Sequence, residues 1–453
     1  MKKLLKKNIG ILCLFTTILF FQCASVTQKQ TDETDIDSSL LIPVRVGNNY
    51  GYIDKNGKYE ILPKFLDAEE FVDGYAVVCT EDGEGAINKQ GEYVIEPQSQ
   101  FSIEMREGSG KFVMHKQNNY RQTVAAGLVD YSGIWSLSPI KCGELYYGGN
   151  GVFTYSKIMN PSQILHSDDI KRGIIINGVV QQPIFEYDCS IVFQEGLSEV
   201  IFNNKYGYID SCGKMAINPI FDYAYSFSKG LARVRYYGWK FIDKTGKIIL
   251  SLPYDEVKDF SEGLAAVKNG KKWGYINKKG DLVIPLQFPD EYIENERNYG
   301  FDADDFCGGI VRVCFDNGKF GVIDKKGKTI VPPEYDYIKR ITTDNIKVEK
   351  DGKCGVINKK GKTIVPLEYD DLRITKDYVI VKQNEKFGLI DKKGEILFEP
   401  KFGYIGIWGE VIFAQEKLYG QFGIIDREGN WIAVPQFDDV SDWNARRIQK
   451  FFF

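Results

Sequence analysis

The chain has 453 residues, with 58 basic and 62 acidic side chains, a formal net charge of −4 and two histidines. Its slight acidity and the lack of a concentrated basic surface exclude nucleic acid as the expected partner, because phosphate binding needs clustered Lys and Arg. Few histidines disfavour His-based catalysis, whereas 45 glycines, 27 tyrosines and 29 phenylalanines favour a protein of strands and turns.

The N-terminal segment has the pattern of an export signal. Residues 1–7 contain four lysines, and an apolar stretch of 13 residues, Ile9–Phe21, follows them. A basic start before a short apolar core is typical of a secretory signal, and the stretch is too short to span a membrane. We therefore expect residues 1–22 to be a signal peptide and the mature chain to be exported.

The end of this signal resembles a bacterial lipobox, whose last residue is a Cys that is lipidated after cleavage. Cys23 occupies that position, while Phe20, Phe21 and Gln22 replace the usual Leu and small residues. The resemblance implies lipidation of Cys23, with ordinary cleavage or an uncleaved anchor as the alternatives. Residues 23–40 are polar and aperiodic, which predicts a flexible tether.

A repeated unit is clearest at residues 263–285. Its first apolar run ends at Asn269-Gly270, a pair typical of a type I′ turn, so the run Trp273–Ile276 should fold back antiparallel. Asn277-Lys278-Lys279-Gly280 then predicts a longer turn, in which Asn accepts a backbone N–H and Gly is left-handed. A third strand follows, and a proline ends it.

This succession of three predicted strands and two turns recurs eleven times along the chain. The Gly that follows an aromatic residue in each unit, or its equivalent, is Gly51, Gly85, Gly127, Gly173, Gly207, Lys240, Gly274, Gly321, Gly355, Gly388 and Gly423. The usual spacing is about 34 residues, a period typical of a solenoid, propeller or other array. We expect an all-β array of eleven three-stranded antiparallel units over residues 41–443, with copies 2–4 degenerate, an insertion at 287–305 and a C-terminal tail at 444–453.

The run from Trp273 to Gly280, with Pro285, closely resembles the bacterial WG-repeat family, also called KWG repeats. Lys272-Trp273-Gly274 carries the KWG triplet itself. The resemblance implies a β-rich repeat array, often in exported proteins, and implies no reaction and no catalytic residue. Eleven units exceed the roughly four to eight blades usual in one propeller, so we expect an open superhelix, with one or two propeller-like rings as the alternative.

Three features of the chain are candidate sites. The aromatic residues beside each Gly are expected in the core, with a ladder of sugar-stacking rings as the alternative. The Asp/Asn-x-x-Gly turns are expected to bond their own backbone instead of calcium, since Lys usually follows. The acidic insertion, with Asp302, Asp304 and Asp305, is expected to be a solvated loop, with a Ca²⁺ site or a glycosidase carboxylate pair as the alternative.

Cysteine and histidine add no further site. The seven cysteines after Cys23 show no CxxC spacing and are expected to be mainly buried thiols, with oxidation of one pair as the alternative. His115 and His166 complete no Ser-His-Asp or Cys-His set. We therefore predict no enzyme activity, no cofactor and no metal.

The sequence favours a non-enzymatic binding or scaffold lipoprotein of the bacterial cell envelope, because repeat arrays mostly use extended surfaces for recognition. We expect a protein or envelope glycan as partner and a membrane contact through the lipid anchor. The outer membrane or cell surface is the favoured location, with a periplasm-facing position as the alternative. The alternative function is a carbohydrate-binding or glycan-hydrolysing protein that uses exposed aromatics or the acidic insertion.

Overall fold

The computed structural model describes residues 40–440, apart from 119–121, 150, 159–169, 177, 187–191, 291–303 and 342–344. Within that range every regular element is a β-strand, and the strands form eleven antiparallel sheets. None of the described residues forms a helix long and apolar enough to cross a membrane. The predicted all-β tandem array is therefore confirmed.

The strands follow one another as short meanders. Sheets 2 and 3 and the long strands of sheet 1 comprise β1 (Ile42–Val46), β2 (Asn49–Ile53), β3 (Tyr59–Phe65), β4 (Asp67–Ala68), β5 (Tyr75–Thr80), β6 (Gly83–Asn88), β7 (Tyr93–Gln98), β8 (Phe101–Met105), β9 (Lys111–Gln117), β10 (Thr123–Asp130) and β11 (Trp135–Ile140). Sheets 4 to 6 comprise β12 (Glu144–Gly149), β13 (Val152–Ile158), β14 (Ile170–Ile176), β15 (Val179–Glu186), β16 (Leu197–Phe202), β17 (Lys205–Asp210), β18 (Met215–Phe221), β19 (Tyr223–Ala224), β20 (Ala232–Arg235), β21 (Trp239–Ile242) and β22 (Ile248–Leu252).

The second half of the chain continues the same order. Sheets 7 to 9 comprise β23 (Glu256–Val257), β24 (Leu264–Asn269), β25 (Lys272–Asn277), β26 (Leu282–Pro289), β27 (Ile310–Cys314), β28 (Phe320–Asp324), β29 (Thr329–Tyr335), β30 (Tyr337–Ile341), β31 (Asn345–Lys350), β32 (Lys353–Asn358) and β33 (Thr363–Tyr369). Sheets 10 and 11 and the last strand comprise β34 (Asp371–Ile374), β35 (Tyr378–Gln383), β36 (Lys386–Asp391), β37 (Ile396–Phe402), β38 (Tyr404–Trp408), β39 (Val411–Gln415), β40 (Phe422–Ile425), β41 (Trp431–Phe437) and β42 (Asp439–Val440).

Four strands, called a, b, c and d in their order across the sheet, make up a complete unit; in sheet 2 they are β4, β5, β6 and β7. Strand a is a short edge strand that follows strand d of the preceding sheet after at most a few residues. Strands b, c and d come from one repeat, as predicted. In sheets 5 and 8 the described residues supply strands b, c and d.

The last strand of the chain completes the first sheet. β42 pairs antiparallel with β1, with Val440 opposite Val44 and Asp439 opposite Arg45. The Asp438 N–H also donates to the Arg45 carbonyl at 2.8 Å. Strand a of sheet 1 therefore comes from the far end of the chain, in the same place that β4 takes in sheet 2.

Apolar side chains join each sheet to the next all the way round. Buried clusters link sheets 1 and 2, 2 and 3, and so on to 10 and 11. Sheet 11 meets sheet 1 through Phe437 and Tyr59, whose ring centroids are 6.3 Å apart. The eleven sheets thus form one closed ring, an eleven-bladed β-propeller.

This ring corrects the favoured open superhelix in favour of the closed alternative, and it makes the unit four-stranded instead of three-stranded. Gly47 and Asp438, which are hydrogen-bonded across the closing pair, lie 391 residues apart in sequence. A periodic pattern carries no information about so distant a contact, and an edge strand of two residues is too short to show alternation.

The antiparallel order gives the ring two different ends. The b–c hairpins and the d–a junctions lie at one end, which we call the hairpin end. The a–b turns and the c–d turns lie at the other, which we call the Asx-turn end. Because β1 is a b strand, the chain enters the ring at the Asx-turn end, at Ile42.

The recurrent Gly of strand c is required by a bulge in strand d. In sheet 7, Tyr275 pairs with Ile284 and Trp273 pairs with Phe288, so strand d carries two extra residues between the pairs. A Cβ on Gly274 would lie 2.6 Å from the Ile284 carbonyl oxygen, which is far inside contact distance. The interpretation of this Gly as architectural is confirmed, and what passes over it is backbone.

The predicted b–c hairpin of sheet 7 is present, but its turn is shifted by one residue. Asn269 pairs with Lys272 as part of the ladder, so the two-residue turn is Gly270-Lys271, with φ 58° at Gly270. The type I′ turn expected at Asn269-Gly270 is therefore wrong. Sheet 5 does use that turn type, with Asn203-Asn204 at φ 50° and 60°.

Candidate functional site

The ten Asx residues of the c–d turns fix their own turns. Asn277 Oδ1 accepts the N–H of Lys279 at 2.8 Å and of Asp281 at 3.0 Å, and Gly280 has φ 88°. The same two bonds, from the residues two and four places on, recur at Asp54, Asn88, Asp130, Asp210, Asp243, Asp324, Asn358, Asp391 and Asp426. These bonds confirm that the residues are turn-formers.

The aromatic side chains before the strand-c Gly mostly lie where two sheets meet. Tyr50, Trp273 and Phe320 are 5%, 2% and 0% exposed, and Trp273 belongs to the cluster shared by sheets 7 and 8. A ring enclosed by two sheets has no free face for a sugar. The expected core role is confirmed for these three positions, and they supply no ladder of binding platforms.

The acidic insertion is only partly within the described residues, and Asp302 lies outside them. Asp304 bonds Arg312 with both carboxylate oxygens, to Nε and, at 3.1 Å, to Nη2. Its backbone carbonyl accepts the Tyr275 hydroxyl at 3.0 Å. Burial raises the pKa of the neighbouring Asp305. Asp304 therefore takes part in a fixed ion pair with strand b of sheet 8.

Sequence analysis missed a row of strand-b cations that bridge adjacent sheets. Arg233 of sheet 6 is 9% exposed; it donates to the Val257 carbonyl of sheet 7 and, at 3.1 Å, to Asp259. Its guanidinium carbon lies 3.7 Å from the Tyr225 ring centroid. Equivalent contacts to strand-a carbonyls join Arg312 to Ile338 and Lys347 to Leu372. A lone charge in a strand usually indicates a solvent-facing position, so the pattern gave no signal for this role.

A group of carboxylates lies where sheets 2 and 3 meet. Glu84 stands at the aromatic position of strand c, and its Oε2 accepts the Ile103 N–H at 2.6 Å. Burial, followed by the nearby Glu84 carboxylate, raises the pKa of Glu69 to about 7. Glu104 Oε2 lies 3.5 Å from His115 Nε2. Across the described part of the chain, no three His, Cys, Asp or Glu side chains are placed to hold a metal ion.

The hairpin end of sheets 5 and 6 carries four tyrosines, Tyr206, Tyr223, Tyr236 and Tyr237, which we call the tyrosine cluster. The rings of Tyr206 and Tyr223 are 6.0 Å apart and those of Tyr236 and Tyr237 are 4.8 Å apart. Tyr223 pairs with Arg235, the residue before Tyr236, so the two ring pairs are neighbours. Tyr237 is 88% exposed and Tyr223 is 51% exposed.

Tyr237 also adopts an unfavourable backbone conformation. Its φ is 48°, in the left-handed region that bulky residues rarely occupy. A turn residue such as Asn or Gly would relieve this conformation at no cost to the hairpin. Tyr419 of sheet 11 shares the exposure and the positive φ, so the grouping of four rings in one place is what makes the tyrosine cluster the candidate ligand-binding surface. The sequence offers a signal for this surface in Tyr236-Tyr237-Gly238, which the sequence analysis did not single out.

A closed ring of antiparallel sheets, one per sequence repeat, defines a β-propeller. The WG-containing repeat matches this chain at residues 50–83, 206–238, 239–273, 273–295, 320–354, 355–387, 387–410 and 422–445. These segments cover more than half of the chain, and the chain belongs to the family of WG-containing repeat proteins. The family resemblance drawn from the sequence is thereby confirmed, whereas Cys23 and the signal peptide lie outside the described residues.

Similarity to solved structures is distant. The tricorn protease is 11% identical over 83% of this chain and 46% of its own, with a TM-score of 0.20. The extracellular domain of the putative one component system BT4673 from B. thetaiotaomicron is 10% identical over 86% and 74%, with a TM-score of 0.23. BamB from Moraxella catarrhalis is 10% identical over 83% and 97%, with a TM-score of 0.26. This chain spans less than half of the tricorn protease, and such TM-scores carry no argument about function. A comparison with curated proteins finds no match.

Proposed function

We propose that this chain is an exported, non-enzymatic binding or scaffold protein of the bacterial cell envelope, anchored by a lipid on Cys23. The outer membrane or cell surface is the favoured location. The observation that carries the proposal is a division of roles between positions. The residues that recur in most repeats build the ring, and many of the exposed residues that differ between repeats lie in the turns at its two ends.

The recurrent residues are occupied by structural contacts. The Asx oxygens bond the backbone, the glycines admit the strand-d bulge and most of the neighbouring aromatics fill the core. The Asp304 carboxylate is held by Arg312. Turns carried by a rigid scaffold are a usual place for recognition residues, which supports a binding role.

The anchor is tested by following a fatty acid on the protein in the producing cell. We expect the wild-type chain to incorporate an alkyne-labelled fatty acid and to sediment with membranes. Cys23→Ser should lose the label and leave the membrane fraction, because a thioether-linked lipid needs that thiol. Cys212→Ser, which removes an exposed thiol of the ring, is the matched control. Equal labelling of both variants would contradict the proposal.

Glycan binding is a second candidate, and the tyrosine cluster is the observation that favours it. Exposed rings at a protein surface stack on the apolar faces of sugars and also serve as anchors in protein interfaces. Screening envelope glycans and envelope proteins against the full chain separates the two classes of ligand. Release of reducing sugar from any bound glycan would contradict a non-enzymatic role.

A pair of matched variants tests whether the tyrosine cluster is the ligand-binding surface. Tyr237→Ala should weaken binding roughly tenfold or more, as expected for an aromatic anchor. Tyr419→Ala should bind as wild type, although Tyr419 is also an exposed hairpin tyrosine, 71% exposed with φ 65°, because it lies in sheet 11 at a distance from the cluster. Wild-type affinity in Tyr237→Ala would rule out the cluster as the binding surface.

A further inference from the structure

The ring brings together lysines that are scattered in the sequence. The c–d turns of sheets 7 to 10 all carry Lys-Lys after the Asx residue, and consecutive sheets place them side by side at the Asx-turn end. We call this surface the lysine arc: Lys278, Lys279, Lys325, Lys326, Lys328, Lys359, Lys360, Lys362, Lys392 and Lys393. All are exposed except Lys325, which is half-buried. Composition alone suggested that no concentrated basic surface exists, and the fold creates one.

The excess charge is confined to these four turns. Their five-residue segments, from the Asx residue onward, hold ten lysines and four acidic residues. The corresponding segments of sheets 1, 2, 3, 5, 6 and 11 hold seven basic and seven acidic residues. Within the arc, Asp324 and Asp391 direct Oδ1 at backbone N–H groups. The c–d turns of sheets 7 to 10 therefore carry an excess of six positive charges, ten minus four, whereas those of the other six sheets are neutral. Two of the ten lysines pair with carboxylates of the a–b turns, Lys325 with Glu262 at 3.0 Å and Lys392 with Asp377 at 3.5 Å. These pairs reduce the positive charge of the arc without cancelling it.

The opposite end of the same sheets is neutralised by ion pairs. At the hairpin end, lysines pair with carboxylates of neighbouring hairpins and d–a junctions. These pairs are Lys272–Asp316 at 2.5 Å, Lys350–Glu334 at 3.0 Å, Lys353–Asp370 at 2.7 Å, and Lys319–Asp336. Ion pairs therefore neutralise the lysines of the hairpin end to a greater extent than those of the arc, where Lys325 and Lys392 pair with carboxylates.

We propose that the lysine arc is a membrane-docking surface that binds anionic lipid headgroups. The chain enters the ring at Ile42, at the same end as the arc. For the flexible tether that the sequence predicts, the 18 residues from Cys23 to Leu40 would correspond to an end-to-end distance of roughly 20–25 Å. A lipid on Cys23 would therefore hold the Asx-turn end close to the bilayer. The inference rests on the anchor of the proposed function.

A basic surface beside a lipid anchor supplies a second attachment to the membrane. Each lysine near an anionic surface contributes roughly a tenfold or smaller gain in binding, and the gain is lost beyond a Debye length. The tether joins the ring at sheet 1 and the arc covers sheets 7 to 10, so the ring has two contacts on one end. Docking in this way leaves the hairpin end, with the tyrosine cluster, facing away from the bilayer.

Lysine acetylation of the full chain, read by mass spectrometry, tests the docking surface independently of the anchor. The chain, purified from membranes, is placed on vesicles of phosphatidylcholine alone or mixed with phosphatidylglycerol. We expect acetylation of Lys279, Lys326, Lys360 and Lys393 to slow roughly tenfold on the mixed vesicles only. Lys271 and Lys353, exposed at the hairpin end, should react at the same rate on both. High salt should abolish the protection.

Two variants of equal net charge sharpen the result. K279Q/K326Q/K360Q/K393Q should lose protection of the remaining arc lysines on mixed vesicles. The control K271Q/K350Q/K353Q/K386Q removes four lysines from the hairpin end of the same sheets. In this control the arc lysines should remain protected from acetylation on mixed vesicles.

Each outcome decides the inference. A chain that floats with both kinds of vesicle but shows equal acetylation overturns the docking surface and leaves the anchor standing. A chain that floats only with phosphatidylglycerol supports the arc and contradicts the anchor, and one that floats with neither contradicts both. Protection by soluble polygalacturonate without protection by vesicles would assign the arc to an acidic glycan and overturn the proposal.

Discussion

Sheets 6 and 7 are neighbours built from one repeat pattern, yet their strands c and d meet differently. Sheet 7 has Gly274 in strand c and two extra residues in strand d. Sheet 6 has Lys240 instead. Its strands c and d pair here without extra residues, as Trp239–Leu252, Lys240–Ser251 and Phe241–Leu250. The difference shows that the Gly and the bulge are one feature: where the bulge is missing, a side chain is tolerated.

The bulge also protects the edge of the sheet. Strand d is an edge strand, and in sheet 7 it carries Pro285 inside the bulge, which removes a donor and bends the strand. In sheet 6 the two-residue bulge and its proline are missing, and only a one-residue irregularity at Ile249 remains. Both sheets expose apolar residues at the start of strand d: Ile248 and Ile249 by 43% and 42%, and Leu282 and Val283 by 43% and 38%. The bulge and Pro285 are thus what protects the edge of sheet 7 beyond that of sheet 6.

The largest expected effect comes from adding one methyl group at the bulge. Gly274→Ala should lower the free energy of unfolding by about 3 kcal/mol or more, because its Cβ would lie 2.6 Å from the Ile284 carbonyl oxygen. Lys240→Ala at the equivalent position should change it by less than about 0.5 kcal/mol. Urea denaturation of the two variants measures both values. Similar losses in the two sheets would show that the bulge is not what requires Gly.

A smaller loss is expected where sheet 6 uses an ion pair and sheet 7 does not. Arg233 occupies the strand-b position that Ala266 occupies in sheet 7. Arg233→Ala should cost about 2–3 kcal/mol, because the buried Val257 carbonyl and the half-exposed Asp259 lose their shared partner. Arg233→Lys should recover part of this loss by keeping the charge without the guanidinium fork. Full stability of Arg233→Ala in urea would show that the bridge contributes only packing.

The next largest loss of stability is expected from removing the Asx side chain of a c–d turn. Asn277→Ala removes the acceptor of two backbone N–H groups and should cost about 1–2 kcal/mol, at about 1 kcal/mol or less for each net hydrogen bond. Asn277→Asp should remain close to wild type, because Asp243 forms the same turn in sheet 6. Thermal unfolding of both variants at neutral pH separates them. Equal stability of the two would mean that the side-chain oxygen is dispensable.

The smallest effect concerns pH and lies in sheet 2, one of the degenerate copies, where Glu84 replaces the aromatic residue before the strand-c Gly. The pKa of Glu69 is raised to about 7 from a usual value of 4.5, so the folded state binds this proton more tightly than the unfolded chain. The contribution of Glu69 to stability is greatest below pH 4.5 and is lost as the pH rises towards 7. The carboxyl group is partly surrounded by its neighbours, which raises its pKa, but the residue as a whole remains exposed to solvent. Solvent therefore screens the effect, and we expect only about 1 kcal/mol.

Glu69→Gln provides the measurement for this group. The variant should be more stable than wild type at pH 8 by about 1 kcal/mol and should differ little at pH 4. A series of urea titrations across that range gives the difference at each pH. A constant difference between the two proteins would contradict the raised pKa.

Much of the fold follows from local chemistry that the sequence displays openly. The Asx turns, the strand-c glycines and most of the buried aromatics were predictable because each obeys a short-range rule with a fixed offset, as at Asn277, Gly274 and Trp273. The type of hairpin turn was less secure, because the ladder of sheet 7 extends through Asn269 and moves the turn to Gly270-Lys271.

Local sequence rules could not predict the closure of the ring or the two surfaces that it creates. The pairing of Arg45 with Asp439 depends on how eleven small rotations add up, and no window of sequence contains it. The lysine arc and the tyrosine cluster arise only when consecutive sheets stand side by side. One clue to closure was present: the first repeat starts with strand b and the last ends in Phe437-Asp438-Asp439-Val440, which matches the d–a junction Phe221-Asp222-Tyr223-Ala224.

The closed ring is tested most directly by a disulfide across its seam. Arg45→Cys/Asp439→Cys places two thiols at facing positions of β1 and β42, within reach of a disulfide in an antiparallel pair. Asp67→Cys is the matched control, because it faces the native Cys79 in the same register within sheet 2 and should cross-link in an open or a closed array. After oxidation of the monomer, we expect peptide mass analysis to find the linked pair in both proteins. A link in the control alone would contradict the closed ring and restore the open superhelix.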